Sequence, residues 1–223
     1  AVVAAFVAVY AGFQGNDILD RAIILGIGID AEEDGAVTVT AEVVSPGNGA
    51  EEVGTYSKVI SATGKSVVDA LNSVSLYCGK EVSLGQCAIV VFGKDYVKRD
   101  AFASCLKFLI RSESLKESSM ICCASGRAEQ ILAKSDAIGK SVSLALSDKT
   151  VPTNNLLKFC RSQEENDRSG FLNVVSARPT NNADETTDSD TQSVFSVDGI
   201  AVFKNKSYLL DLTEKQADGM SLL

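Results

Sequence analysis

The sequence predicts an α+β fold: a mixed β-sheet with helices packed on it, followed by the start of a second small α+β unit. Three observations carry this. An apolar run, Ile23 to Ile29, is followed across an acidic turn by an alternating segment from Val37 to Glu42, the pattern of two strands joined as a hairpin. Beyond it, stretches with apolar residues at helical spacing intermix with short apolar runs of strand length. Residues 179 to 193 then hold four acids and no aliphatic side chain larger than Ala, and a second hairpin pattern follows. Such a stretch buries too little apolar surface to fold and reads as a solvated linker. The resulting division is an apolar segment at 1–13, an N-terminal α+β domain at 20–176, an acidic flexible linker at 177–193, and an incomplete second domain, hairpin plus helix, at 194–223.

Residues 1–13 are apolar and uncharged. As a helix they would span about 20 Å, short of the roughly 30 Å hydrocarbon core of a bilayer. They fit the tail of a signal-peptide apolar region better than a complete span; a buried N-terminal helix or strand is the alternative. In the first hairpin, Val37, Val39 and Ala41 alternate with Thr38, Thr40 and Glu42, which gives one apolar and one polar face. Asp34-Gly35 makes the turn, and the run Ile23 to Ile29 reads as covered on both faces. Residues 46–52 form a loop, and Tyr56 to Ala62 a third strand. Thr63-Gly64-Lys65-Ser66 opens a helix that repeats Val67, Leu71, Val74 and Cys78. Gln86 to Phe92 suits a central strand. Asp100 is placed to cap a helix buried through Phe102, Leu106 and Leu109. Ser118 to Ala124 is the next strand, and Ser125 begins a short helix carrying Ala128, Ile131 and Leu132. Residues 136–163 read as helical in two pieces separated near Pro152, with Val142, Leu144, Leu146, Leu156, Leu157 and Phe159 available for packing. Phe171 to Ser176 is one more strand. After the linker, a hairpin turns at Lys204-Asn205-Lys206, and a helix starting at Thr213 reaches Leu222-Leu223, where the chain reads as a fragment of a longer product.

Composition restricts function. The chain has 223 residues, 45% of them hydrophobic, and a net charge of −8. It has no Lys/Arg-rich run, so nucleic acid is excluded as a natural partner. There is no histidine, which removes Ser-His-Asp and Cys-His catalysis and His-ligated metals. No G-x-S-x-G elbow supplies a nucleophile. The six cysteines, Cys78, Cys87, Cys105, Cys122, Cys123 and Cys160, form no C-x-x-C pair and lie mostly in apolar periodic runs, as small buried hydrophobes do; Cys122 and Cys123 point to opposite faces if they share a strand. Gly26-Ile27-Gly28 lacks the third glycine of a dinucleotide fingerprint and leads into an acidic turn. Gly64-Lys65-Ser66 and Gly139-Lys140-Ser141 resemble the end of a phosphate-binding loop, but Val59 and Lys134 stand where its first glycine belongs. The acidic linker lacks the ligand spacing and terminal Glu of a calcium loop. Glu32-Glu33-Asp34 and Glu164-Glu165 lie in turns or exposed runs, not in the apolar pocket that general acid catalysis needs. Lys94, Lys98 and Arg99 are read as pairing on the surface with Asp95 and Asp100. No catalytic residue, cofactor-binding residue or metal ligand is assigned.

The segment D-R-A-I-I-L-G-I-G-I-D from Asp20 to Asp30, with the hairpin after it, resembles the start of the C-subunit family of spore-germination nutrient receptors, the Ger(x)C type. Further segments resemble the family in order. They are Ser61 to Ser66 with Val68-Asp69-Ala70-Leu71, Leu84 to Lys94, Phe108 to Glu113, Gly126 to Leu132, and Gly199 to Lys204 with Leu210-Asp211 and Glu214. The resemblance implies a non-enzymatic, extracytoplasmic subunit without cofactor. It would dock on the polytopic A and B membrane subunits of a germinant receptor and lie at the membrane surface, on the outer face of the spore inner membrane. Two features depart from the family. Its members are typically lipoproteins, yet around Gly12 and Phe13 there is no cysteine, so no lipid-attachment residue is assigned. Its members also carry a further C-terminal domain, so this chain reads as a truncated member. The alternative is an extracytoplasmic small-ligand-binding protein with its cleft between the two units, across the acidic linker.

Overall fold

The computed structural model describes residues 21–45, 56–112, 115–133, 142, 154–165, 168–177 and 195–220. Along these the chain runs β1 (Arg21–Ala31), β2 (Val37–Ser45), β3 (Tyr56–Gly64), α1 (Val67–Cys78), β4 (Glu81–Ser83), β5 (Ile89–Phe92), α2 (Ala101–Arg111), β6 (Met120–Ala124), α3 (Ala128–Leu132), α4 (Leu156–Ser162), β7 (Ser169–Ala177), β8 (Phe195–Lys204), β9 (Ser207–Thr213) and α5 (Glu214–Met220). All nine strands join one sheet in the order β3-β2-β1-β5-β6-β7-β8-β9, with β4 beside the start of β1. The central strands β1, β5, β6 and β7 are parallel. Antiparallel hairpins flank them on each side. The fold class is α+β with a mixed sheet, as the sequence indicates.

β1 shows why local patterning reads well here. A register shift between Ile24 and Gly26 inserts one extra residue, which swaps the phase of the pleat. As a result Ala22, Ile24, Ile27 and Ile29 all enter the same core, together with Val37, Val39, Ala41 and Val43 of β2. The polar face of β2 does not meet solvent. Thr38, Thr40 and Glu42 are buried, and Thr38 and Thr40 pair across to Thr63 and Ser61 on β3 at 2.9 Å each. These cross-strand hydroxyl pairs satisfy groups that burial would otherwise penalise.

Helices α1, α2 and α4 bury Val67, Val74, Phe102, Leu106, Leu109, Leu156 and Phe159 in the core on one face of the sheet. α3 and Val142 cover the other face through Ala128, Ile131 and Leu132. The adjacent cysteines divide as the pleat requires: Cys123 belongs to the first core and Cys122 to the second. Cys87, Cys105, Cys122 and Cys123 are buried, and Cys78 and Cys160 are partly so. Burial pushes the thiols of Cys87, Cys105 and Cys122 up to about 12, which leaves them protonated and unreactive.

α1 starts as expected, with the Ser66 side chain accepting from the Asp69 N–H. Asp100 does not cap α2. Its backbone is already in the right-handed helical region and its side chain makes no cap bond. The turns from residue 93 feed directly into the helix, so Asp100 lacks the extended geometry a cap needs. Strands β5 and β6 are shorter than the apolar runs that contain them, and β4 carries too few residues to show a period. Of the expected 136–163 helices, the described residues include Val142 and α4; the rest lies outside them. So do residues 1–13, the linker stretch 178–194 and Gly139-Lys140-Ser141.

The second hairpin is placed differently from the sequence reading. β8 pairs with β7 along the whole of Ser169–Ala177, so the hairpin continues the first sheet. Val197 packs in one core, and Ala201 and Phe203 pack in the other. A composition break marks a loop; it carries no information on whether the chain beyond starts a new core or completes the old one. Among the described residues no helix is long and apolar enough to cross a membrane.

Candidate functional site

Parallel strands joined by crossovers leave a crevice at their carboxyl ends, where loops diverge. Here β1, β5 and β6 deliver Asp30, Gly93 and Gly126-Arg127 to that rim. The acidic turn between β1 and β2 closes it from the side. The result is an open cleft of about 580 Å³ lined by Asp30, Glu32, Glu33, Asp34, Thr63, Asp95 and Arg127.

Asp30 is the hub. It is 2% exposed, and its two carboxylate oxygens accept from the N–H groups of Ala128 at 2.8 Å and Glu129 at 2.9 Å. Arg127, at the cap position of α3, makes no side-chain cap bond. Asp30, 98 positions before Ala128, supplies the cap instead. Gly93 makes room for this: a Cβ there would lie 2.1 Å from Asp30 Oδ1. The Gly93 N–H donates to Ile29 O, and the Lys94 N–H to Gly126 O, each at 2.8 Å. The end of β1 and the start of α3 are thus tied through a single carboxylate, and the ends of β5 and β6 are joined beside it by backbone bonds.

Glu32 forms the second tie. The Arg127 guanidinium reaches its carboxylate at 2.8 Å, the Thr38 hydroxyl donates at 2.7 Å, and Arg99 donates to its backbone carbonyl. Arg127 and Thr38 hold the Glu32 carboxyl below its ordinary value. Asp30 behaves oppositely. Burial raises its carboxyl above the ordinary 3.8, and the two N–H bonds and the Arg127 charge offset this only in part.

The sign of the Asp30 shift gives a test. A raised carboxyl means that the folded protein holds more protons than the unfolded chain above pH 3.8. The stabilisation is therefore full below that pH and is lost as pH rises through the folded value. Asp30→Asn keeps the shape and one acceptor but cannot titrate. Denaturation of both proteins from about pH 3 to neutrality should show the advantage of the parent shrinking with rising pH. At neutral pH, where the ionised Asp30 carries the cost of its burial, the difference between parent and variant should be smallest. A pH-independent difference would mean that Asp30 is not held as described.

The cleft's chemistry follows from these contacts. Both oxygens of Asp30, a carboxyl that burial raises, are occupied by backbone donors, so it is engaged as a helix cap. Of the remaining acids, Asp95 pairs with Lys98, and Glu33 and Asp34 leave the rim acidic, suited to positive charge. Among the described residues no group of His, Cys, Asp and Glu side chains is arranged to hold a metal ion. The sequence singled out the acidic turn only as a solvated loop and did not single out Asp30 or Arg127 as site residues. Of the basic cluster, Lys98 pairs with Asp95 at 3.0 Å as expected. Lys94 instead reaches Asp211 on β9 at 2.8 Å, and Arg99 turns to Glu32, because strands distant in sequence are closer than the neighbouring acids. Lys65 lies exposed beside a helix start in which Gly64 packs against the Ala70 backbone. The ligand cleft expected across residues 177–193 falls outside the described residues, apart from Ala177.

Comparison with known proteins bears on this architecture. A family model described as the spore germination protein N-terminal domain matches residues 14–177. Curated proteins give no match. Among solved structures, a crystal structure of the GerBC protein is similar at 17% identity with a TM-score of 0.44, covering 88% of this chain and 54% of that one. The chain thus spans about half the length of that solved protein.

Proposed function

The chain belongs to the spore germination protein family defined by this N-terminal domain, and from that premise we propose that it acts in spore germination as the C-type subunit of a nutrient-germinant receptor. It works outside the cytoplasm, at the membrane surface, by docking on the A and B membrane subunits, and it transforms no substrate. The observation that carries the reading is the family match over residues 14–177. Two further observations support it. The chain lacks histidine. The buried carboxylate at the cleft serves as a strut between strand ends and a helix, which is how a rigid docking scaffold is built.

The test is recovery of partners. A tagged copy purified from detergent-solubilised spore membranes should bring down the two polytopic subunits in constant proportion, and spores lacking the gene should germinate poorly on nutrients. Recovery of the tagged chain alone, with normal germination of the deletion strain, would remove the reading.

One observation favours a second reading, direct binding of a small ligand: the cleft sits where open sheets with parallel strands hold ligands. Its acidic rim selects a cationic ligand, such as a basic amino acid. A ligand at a hundred times its dissociation constant adds about 2.7 kcal/mol to stability, so a thermal-shift screen of amino acids and sugars separates the two readings.

A further inference from the structure

We propose that the cleft between the end of α4 and the β8–β9 turn binds a small, singly charged carboxylate, held by the Gln163 side-chain amide, Arg168 and Lys206. The site goes beyond the receptor reading and does not depend on it. The cleft holds about 310 Å³ and is lined by Gln163, Glu164, Arg168, Asn205 and Lys206. β1, β5, β6 and β7 run parallel. Arg168, just before β7, therefore lies at the other end of the sheet from the Asp30 crevice. Backbone conformation sets the cleft apart. Arg168, Asn205 and Lys206 have φ of 46°, 53° and 64°, and among the described residues no others except glycines have a positive φ. All three meet here, the Asn205 N–H donating to Arg168 O at 2.8 Å. A two-residue hairpin turn accounts for the conformation at 205 and 206, but it favours glycine at the second position. The chain keeps a lysine there and an arginine at 168. Left-handed backbone is costly for such side chains, and residues held this way gather at ligand clamps, where the side chain has another use.

An unpaired donor at the floor of the cleft is the second, independent observation. Gln163 is 3% exposed. Its Oε1 accepts from the Lys206 N–H at 2.7 Å, which fixes the orientation of the amide, and its Nε2 has no hydrogen-bond partner. A buried amide nitrogen left unpaired is costly, and an acceptor entering the cleft would remove that cost. The other groups define the acceptor. Arg168 makes no ion pair among the described residues. Glu164 is exposed and stands 3.5 Å from Lys206 Nζ, a long surface contact that contributes little. Two cations against one carboxylate leave the lining with one positive charge. A carboxylate accepts through both oxygens and brings one negative charge, so it matches the donors and the charge together. A phosphate group brings close to two negative charges at neutral pH and overshoots. The volume lies at the small end of ligand clefts, which suits a small acid.

Sodium benzoate is the probe, titrated into the full chain at constant ionic strength and followed by amide NMR. The Gln163 side-chain amide and the backbone amides of Arg168, Asn205 and Lys206 should shift and saturate, while sodium chloride alone leaves them in place. Arg168→Gly should weaken the affinity on the order of tenfold or more, from the charged donor removed. The melting temperature of the free variant should stay close to that of the parent, because relief of the left-handed backbone offsets the greater freedom of glycine when unfolded. Gln163→Glu keeps an acceptor for the Lys206 N–H but replaces the free donor with an oxygen, and should abolish saturation. Resonances that benzoate does not move, or that chloride moves equally, would overturn the proposal. So would an Arg168→Gly variant that loses stability and keeps its affinity, since the arginine would then serve the fold alone. Phenyl phosphate saturating the same resonances at lower concentration than benzoate would overturn the assignment to a carboxylate. None of these results bears on recovery of the membrane subunits, so the receptor reading stands or falls separately.

Discussion

Phe102→Ala should destabilise the protein by about 4 kcal/mol, within the 3–5 kcal/mol typical of a buried Phe cut back to Ala. Phe102 is fully buried and stands at the centre of an aromatic cluster built from five elements, α2, β5, α4, β8 and β9. Its ring lies 5.1 Å from Phe92 of β5, 5.2 Å from Phe203 of β8 and 6.3 Å from Phe159 of α4. Phe159 and Phe203 meet edge to face at 5.3 Å, and Tyr208 of β9 closes the far side at 6.0 Å. Truncation leaves a cavity among rings that are tied to different elements and so collapse poorly. For a chain of this length the melting temperature should fall by roughly 8–16 °C. Urea denaturation should show a lower midpoint with an unchanged slope, the sign that stability and not compactness has changed. Phe102→Leu should cost much less. A loss below about 1 kcal/mol for the alanine variant would mean that this cluster does not join the β8–β9 hairpin to the rest of the sheet.

The same cluster shows what was legible in the sequence. Phe102 was readable as a core residue because Leu106 and Leu109 follow it at helical spacing, and period alone identifies a buried helix face. Hairpins, helix α1 and the opposite fates of Cys122 and Cys123 were readable for a related reason: each follows from a period along the chain itself, two in a strand and 3.6 in a helix. The union of Asp30 with α3 was not. A single Asp at the end of an apolar run looks like the first residue of a solvated turn, and its partners are backbone N–H groups, which have no side-chain signature. The hint lay in Arg127 and Ala128, which start a helix without Ser, Thr, Asp or Asn at the cap. A helix start lacking its own acceptor must find one elsewhere. The pairing of β8 with β7 was hidden differently. Strand partners across a long intervening segment are chosen by the completed core, and the linker's acidity speaks only to its own solvation.

Gly199→Ala should act on that hidden pairing, with a loss of at least 3 kcal/mol. Gly199 lies in β8 at φ +150, and a Cβ there would sit 2.0 Å from the carbonyl oxygen of Leu212 and 3.0 Å from the Thr213 Cα. Those atoms are backbone of β9, so no side chain can turn aside; the strand itself must move. β9 is held on one side only, by β8, and its register already shifts between Val202 and Phe203. The methyl group therefore forces β9 off β8 near the start of α5, whose Ala217 packs with Ile200. Gly35→Ala is the control. Gly35 also has positive φ, at +91, but nothing lies within 4 Å of its added Cβ. It should cost only about 1–2 kcal/mol, the strain of the left-handed backbone alone. The difference between the two variants isolates the steric term. Hydrogen exchange locates it, because amides of Ser207–Thr213 should exchange much faster in Gly199→Ala while those of β1 and β5 change only with global stability. Equal losses in the two variants, or undisturbed protection of β9, would show that β9 does not lie against Gly199 and that the hairpin is free of the sheet.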